Sequence, residues 1–237
     1  MAFYEDISSY YDWIFPITKF KLEFLNKNIN KENAKILDIA CGTGGYAIEL
    51  ANKNHKVTAI DLDQEMVNKL KEKETSINFM QGNMLDIKAK VSDKYDFIYC
   101  IGNSLVHLKN DDEIQSFLND VRSLVNENGK LVIQIVNYDR ILSKNIDSLP
   151  TITNNEIGLS FKRLYEYNQK DNIIKFKTIL EIDNKQIKNE IPLYPVLSDK
   201  LLNLLKKAGF NKVDFFGDFK ESPYNKDNSF ALVLIAS

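Results

Sequence analysis

The chain has 237 residues, enough for one α/β domain with a modest insertion. Its 31 basic and 33 acidic residues interleave to a net charge of −2, which excludes the strong basic field of a nucleic-acid-binding surface. No apolar run approaches the roughly 18 residues of a membrane span, and Met1–Tyr11 lacks a basic leader region. Two cysteines, Cys41 and Cys100, fall at the ends of core strands, where buried free thiols of a reducing cytosol are expected rather than a metal site. The expectation is therefore a cytoplasmic protein with no metal, membrane or nucleic-acid partner, a homo-oligomer being left open.

In chain order, residues 3–33 carry an aromatic cluster (Phe3, Tyr4, Tyr10, Tyr11, Trp13, Phe15), then Pro16 and a helical stretch, read as two helices ahead of the first strand. The apolar run Ile36–Ala40 reads as a buried parallel strand, entering a glycine turn and then a helix over 45–53. Strand and helix signals continue to alternate: strand 56–60, helix 64–73, strands 77–80 and 95–101, helix 113–126, strand 130–136. Such alternation predicts a parallel sheet with helices on both faces, doubly wound and Rossmann-like, with a crevice beside the ends of the first and fourth strands. After Asn137 the period changes to two. Residues 158–168, 172–183 and 186–194 predict an antiparallel three-stranded lid inserted after the fifth strand, spanning 141–194. A helix over 198–208 ending at Gly209 and two closing strands, 211–216 and 229–236, bring the main sheet to seven strands. The organisation expected is an N-terminal helical segment, 1–33, a core of 34–140 and 195–237, and the lid.

The glycine turn lets a ligand lie against bare backbone. Gly42, Gly44 and Ala47 fit the dinucleotide pattern, but Asp38 opposes that reading. A carboxylate at the mouth of the turn repels a pyrophosphate by roughly 1–4 kcal/mol per charge pair and attracts an ammonium group. Asp61, ending the second strand, is suited to accept from two ribose hydroxyls, Asp63 being better placed to cap the next helix. Gln81-Gly82-Asn83-Met84 follows the third strand. There Asn83 can accept a hydrogen bond, and the Met84 N–H can donate one.

The run Asp-x-Ala-Cys-Gly-x-Gly resembles the first motif of class I S-adenosylmethionine-dependent methyltransferases. Gly102-Asn103-Ser104 after the fourth strand, Asn137-Tyr138-Asp139 after the fifth and Gly217-Asp218-Phe219-Lys220 after the sixth resemble, more narrowly, the glycine and sarcosine N-methyltransferases. The resemblance implies S-adenosylmethionine as cofactor, held by Asp38, Gly42, Gly44, Asp61, Asn83, Met84 and Gly102, and a small-molecule methyl acceptor, an amine. It further implies that Asn137 contacts the amine, that Tyr194 and either Tyr11 or Tyr10 face the active site, and that a lid arginine clamps a substrate carboxylate. Arg163 is the first candidate for that clamp and Arg140 the second. His107 is a candidate base, or a cap for the helix that follows it; His55 reads as a surface residue. Methylation of another metabolite, such as an amino sugar, stays open, as does a sensor that binds the cofactor without turnover.

Overall fold

The computed structural model describes residues 2–73 and 76–237. The N-terminal part is more broken than the periodicity suggests. Two short helices, α1 (Ala2–Ile7) and α2 (Tyr11–Ile14), flank a single 3-10 turn, and Pro16 separates them from α3 (Lys19–Asn28).

The core then follows the expected alternation: β1 (Lys35–Ile39), α4 (Gly45–Ala51), β2 (Lys56–Asp61), α5 (Gln64–Lys71), β3 (Asn78–Gln81), a short α6 (Ile87–Lys90), β4 (Tyr95–Cys100), α7 (Asp111–Leu124) and β5 (Val125–Val136). Strand β5 starts five residues earlier than expected. Its first residues form an irregular start, since Tyr95 pairs with Val125 but Phe97 already pairs with Lys130. A short helix, α8 (Tyr138–Ser143), precedes the insertion, and α9 (Ser198–Lys207), β10 (Val213–Phe216) and β11 (Ala231–Ala236) close the chain.

The main sheet has seven strands in the order β10-β11-β5-β4-β1-β2-β3. Strand β11 runs antiparallel to β5 and to β10, and the other pairings are parallel. Burial on both faces explains the near-continuous apolar strands. Leu37, Ile39, Ile98, Cys100, Leu131 and Ile133 face one core, while Ile36, Phe97, Tyr99, Val132 and Val233 face the other. Asp38 shares this second face, and Tyr99, its register partner on β4, donates a hydrogen bond to it.

The insertion has four strands, not three: β6 (Ser148–Asn154), β7 (Leu159–Asn168), β8 (Ile173–Ile182) and β9 (Lys185–Leu193). The extra edge strand, Ser-Leu-Pro-Thr-Ile-Thr-Asn, contains Pro150, which argues against a strand interior but is tolerated at an edge. Inward-facing Leu159, Phe161, Tyr165, Ile174 and Leu193 join the same apolar cluster as the main sheet and as Ile7 and Ile14 of the N-terminal segment. The insertion has no separate core. Among the described residues, no helix is long and apolar enough to cross a membrane.

Candidate active site

The carboxyl ends of β1, β2 and β4 open into two adjoining cavities of about 270 and 150 Å3. Tyr4, Tyr11, Ala40, Gly102 and His107 line both and form their junction. Parallel strands deliver their C-terminal residues to one edge, and the β1–β4 pair is where the sheet reverses its winding.

The larger cavity is walled by Gly42, Asp61, Asp63, Asn83, Met84 and apolar side chains such as Ile60 and Leu85. Asp61 braces the glycine turn: its Oδ2 accepts from the Gly42 N–H at 2.7 Å and its Oδ1 from the Asp63 N–H at 2.9 Å. Burial raises the Asp61 carboxyl above its ordinary range, opposed by these two N–H bonds. Asp63 caps α5, accepting from the N–H groups of Glu65 and Met66. Asn83 accepts from the Leu85 N–H at 3.0 Å. In the turn itself, the N–H groups of Cys41, Gly42 and Gly44 donate to Ile60 O, Asp61 and Cys41 O. Those amides are therefore committed within the protein. With three carboxylates, Asp61, Asp63 and Glu113, on the wall against one lysine, Lys109, the donor set fits an uncharged nucleoside bearing a cationic tail and does not fit a pyrophosphate.

The smaller cavity lies between the glycine turn, the N-terminal segment and the insertion sheet. Asp38 is buried at its end, 3% exposed, and accepts from the Tyr99 hydroxyl at 2.8 Å. Burial pushes its carboxyl up to about 8, so full ionisation calls for a cationic partner. Arg163 reaches the opposite wall from β7. One of its terminal nitrogens donates to Pro150 O at 2.7 Å, while its Nε, shut off from the cavity, finds no acceptor among the described residues. Burial also depresses the guanidinium pKa. Lys21, a second cation on this wall, lies over the rings of Tyr46 and Phe219.

Several expected residues lie elsewhere. Asn137 is fully buried and lines neither cavity. Its amide nitrogen donates to Lys226 O and Ser229 O, and its oxygen accepts from the Arg140 N–H and the Tyr224 hydroxyl. It caps α8 and anchors the loop before β11, with no capacity left for an amine. Tyr194 also points away, its hydroxyl donating to Asp111 at 2.9 Å. The residue that reaches the cavity is Leu193, because odd positions of β9 face inward and Tyr194 has the opposite parity. Gly44 is needed for a different reason than ligand approach. It caps α4 at φ +74°, and a Cβ there would lie 2.2 Å from a methyl of Leu70. Arg140 covers the ring of Phe230 and lies on neither wall. Cys100 is buried, but Cys41 is half-buried on the wall of the smaller cavity.

His107 does not cap the following helix; Asn110 does, accepting from the Glu113 N–H. His107 Nε2 lies 2.9 Å from the Tyr4 hydroxyl, and burial lowers its pKa to about 4. Gly102 has φ +89° and open space where a Cβ would stand, and its N–H donates to Gln134. Tyr11 packs over Gly42, whose Cβ would lie 3.1 Å from the tyrosine ring. Tyr4, Phe15, Leu149, Tyr165 and Phe176 also face the cavities, although sequence reading gave them no role. Strand parity could have found Tyr165, which shares a face with Arg163 and Phe161.

Comparison with known proteins agrees with this geometry. Residues 36–129 match a family model described as a methyltransferase domain. A glycine/sarcosine N-methyltransferase from Aphanothece halophytica is 27% identical over 88% of this chain and 78% of its own length. The enzyme of that name from Halorhodospira halochloris is 28% identical over 88% and 77%. A solved S-adenosylmethionine-dependent methyltransferase from Clostridium acetobutylicum superposes with a TM-score of 0.82 at 16% identity, covering 99% of this chain and 98% of that one. At that identity the likeness establishes the fold.

Proposed function

We propose that this chain, an S-adenosylmethionine-dependent methyltransferase, methylates the nitrogen of a small amine that carries a carboxylate, of the glycine and sarcosine type. The observation that carries this reading is Arg163, a half-buried guanidinium set in the wall of the smaller cavity beside Leu149, Tyr165 and Phe176. A cation set in an apolar wall is costly unless an anion meets it, and a planar guanidinium matches a carboxylate. The names of the two relatives support the same acceptor class.

When bound, S-adenosylmethionine supplies a methyl group on a positively charged sulfur. Asp38 would hold its ammonium group, Asp61 its ribose hydroxyls, and Asn83 with the Met84 N–H its adenine. Gly102, bare of a side chain, leaves room at the junction of the cavities. Tyr4 and Tyr11 close that junction and exclude water. Arg163 would fix the acceptor by its carboxylate, and fixing a nucleophile in place contributes several kcal/mol to the rate, on the order of what effective molarities allow. His107, kept neutral by burial, serves to hold Tyr4 rather than to accept a proton at neutral pH. The acceptor amine must arrive unprotonated, so the rate should rise through the neutral range toward the roughly 8 of a free α-amino group.

The test is methyl transfer from labelled cofactor to glycine and sarcosine, each set against its carboxamide. The carboxylate forms should be favoured roughly ten- to a hundred-fold in kcat/KM, as a charge-assisted pair allows. Arg163→Lys should remove most of that preference. Equal use of acid and amide would remove the carboxylate from the reading.

A further inference from the structure

The insertion contributes five residues to the smaller cavity: Leu149, Arg163, Tyr165, Phe176 and Leu193. Arg163 alone among them is charged. The pairing of the strands builds this frame. Leu149 of β6 is the register partner of Arg163, and Phe176 of β8 that of Tyr165, with the two rings 5.5 Å apart. Leu193 enters from β9, and Phe15 of the N-terminal segment closes the frame from the other side. The cation is thus set in an apolar surround.

Resting on the acceptor class proposed above, we infer that the substrate bears an apolar side chain beside its carboxylate and is not glycine itself. A carboxylate held by Arg163 places its α-carbon within this frame, where a hydrogen substituent would leave Leu149 and Phe176 against water. An alkyl or aromatic substituent would displace that water and cover them, and even one methylene in such a pocket discriminates roughly ten-fold or more. Leu149, Phe176 and Leu193 are then the specificity-determining residues.

The test is kcat/KM for methyl transfer to glycine, sarcosine, alanine, leucine, phenylalanine and aspartate by the full chain. Leucine or phenylalanine should exceed glycine at least ten-fold and should also exceed aspartate. Phe176→Ala should reduce the leucine-to-glycine ratio at least five-fold. Should that variant lose its melting transition, Leu149→Ala on the edge strand provides the same ratio. Glycine or sarcosine used as well as leucine, or a ratio unchanged in the folded variants, overturns the inference while leaving the acceptor class intact. Turnover of carboxylate-free amines alone would overturn both.

Discussion

Asp61 stands where the glycine turn meets the larger cavity. Each of its oxygens already accepts one backbone N–H, which leaves lone pairs toward the larger cavity. Asp61→Ala should weaken cofactor binding by roughly 1–3 kcal/mol and also loosen the glycine turn, since the Gly42 N–H loses its acceptor. Titration calorimetry beside a melting curve separates the two effects; unchanged affinity would confine Asp61 to the turn. The glycines divide just as cleanly. Gly44→Ala forces a left-handed residue against Leu70 and should lower stability by roughly 1–3 kcal/mol. Gly102→Ala meets nothing within the protein and should act on ligand affinity, although its positive φ adds strain. Melting curves with and without cofactor distinguish these variants, and equal behaviour would mean that Gly102 does not face the ligand. That Asp38, Asp61, Gly42, Asn83, Met84 and Gly102 line the cavities was legible, because strand ends and the glycine turn announce themselves locally, whereas Tyr11 and Arg163, which also line them, were reached only through the family resemblance. Asn137 was not. Its partners, Tyr224 and the 226–229 loop, are about ninety positions away, and no local pattern reveals them.

Among elements, the core strands and the helices α4, α5, α7 and α9 were legible from period, since each is buried on a predictable face, whereas the short α6 and α8 have too few residues for a period to show. The insertion was legible as antiparallel, yet its first strand was lost to Pro150 and to the absence of strict alternation. Its anchoring also follows from strand parity. Tyr194, just past β9, ties the insertion to Asp111 at the start of α7, and its N–H donates to Val106 O. Tyr194→Phe should therefore leave kcat within a few-fold and cost at most about 1 kcal/mol of stability. Asn137→Ala should cost more, roughly 1–3 kcal/mol, because several backbone groups and the Tyr224 hydroxyl lose a buried partner. Urea unfolding and steady-state kinetics on both variants check this. A turnover lost with stability unchanged would return either residue to the active site.

At the scale of the whole molecule, two buried groups give stability opposite pH dependences. Asp38 has its carboxyl raised to about 8, so the fold favours the protonated form, and its contribution falls as pH rises from about 4 toward 8. His107 is lowered to about 4, so its contribution is present above its ordinary value near 6.5 and is lost as pH falls toward 4. The melting temperature of His107→Gln should accordingly fall less than that of the unaltered chain between pH 6.5 and 4; an identical slope would mean that the imidazole is not buried neutral. A bound ammonium reverses the Asp38 effect, so cofactor should raise the melting temperature more at pH 8 than at pH 6. The most direct measurement is titration calorimetry of the unaltered chain with S-adenosylmethionine and with NAD, at pH 7 in buffers of different ionisation enthalpy. The role given to Asp38 requires that S-adenosylmethionine bind with proton release, as Asp38 ionises to meet the ammonium group, and that NAD not bind. NAD binding more tightly than S-adenosylmethionine, or S-adenosylmethionine binding with proton uptake, would contradict it.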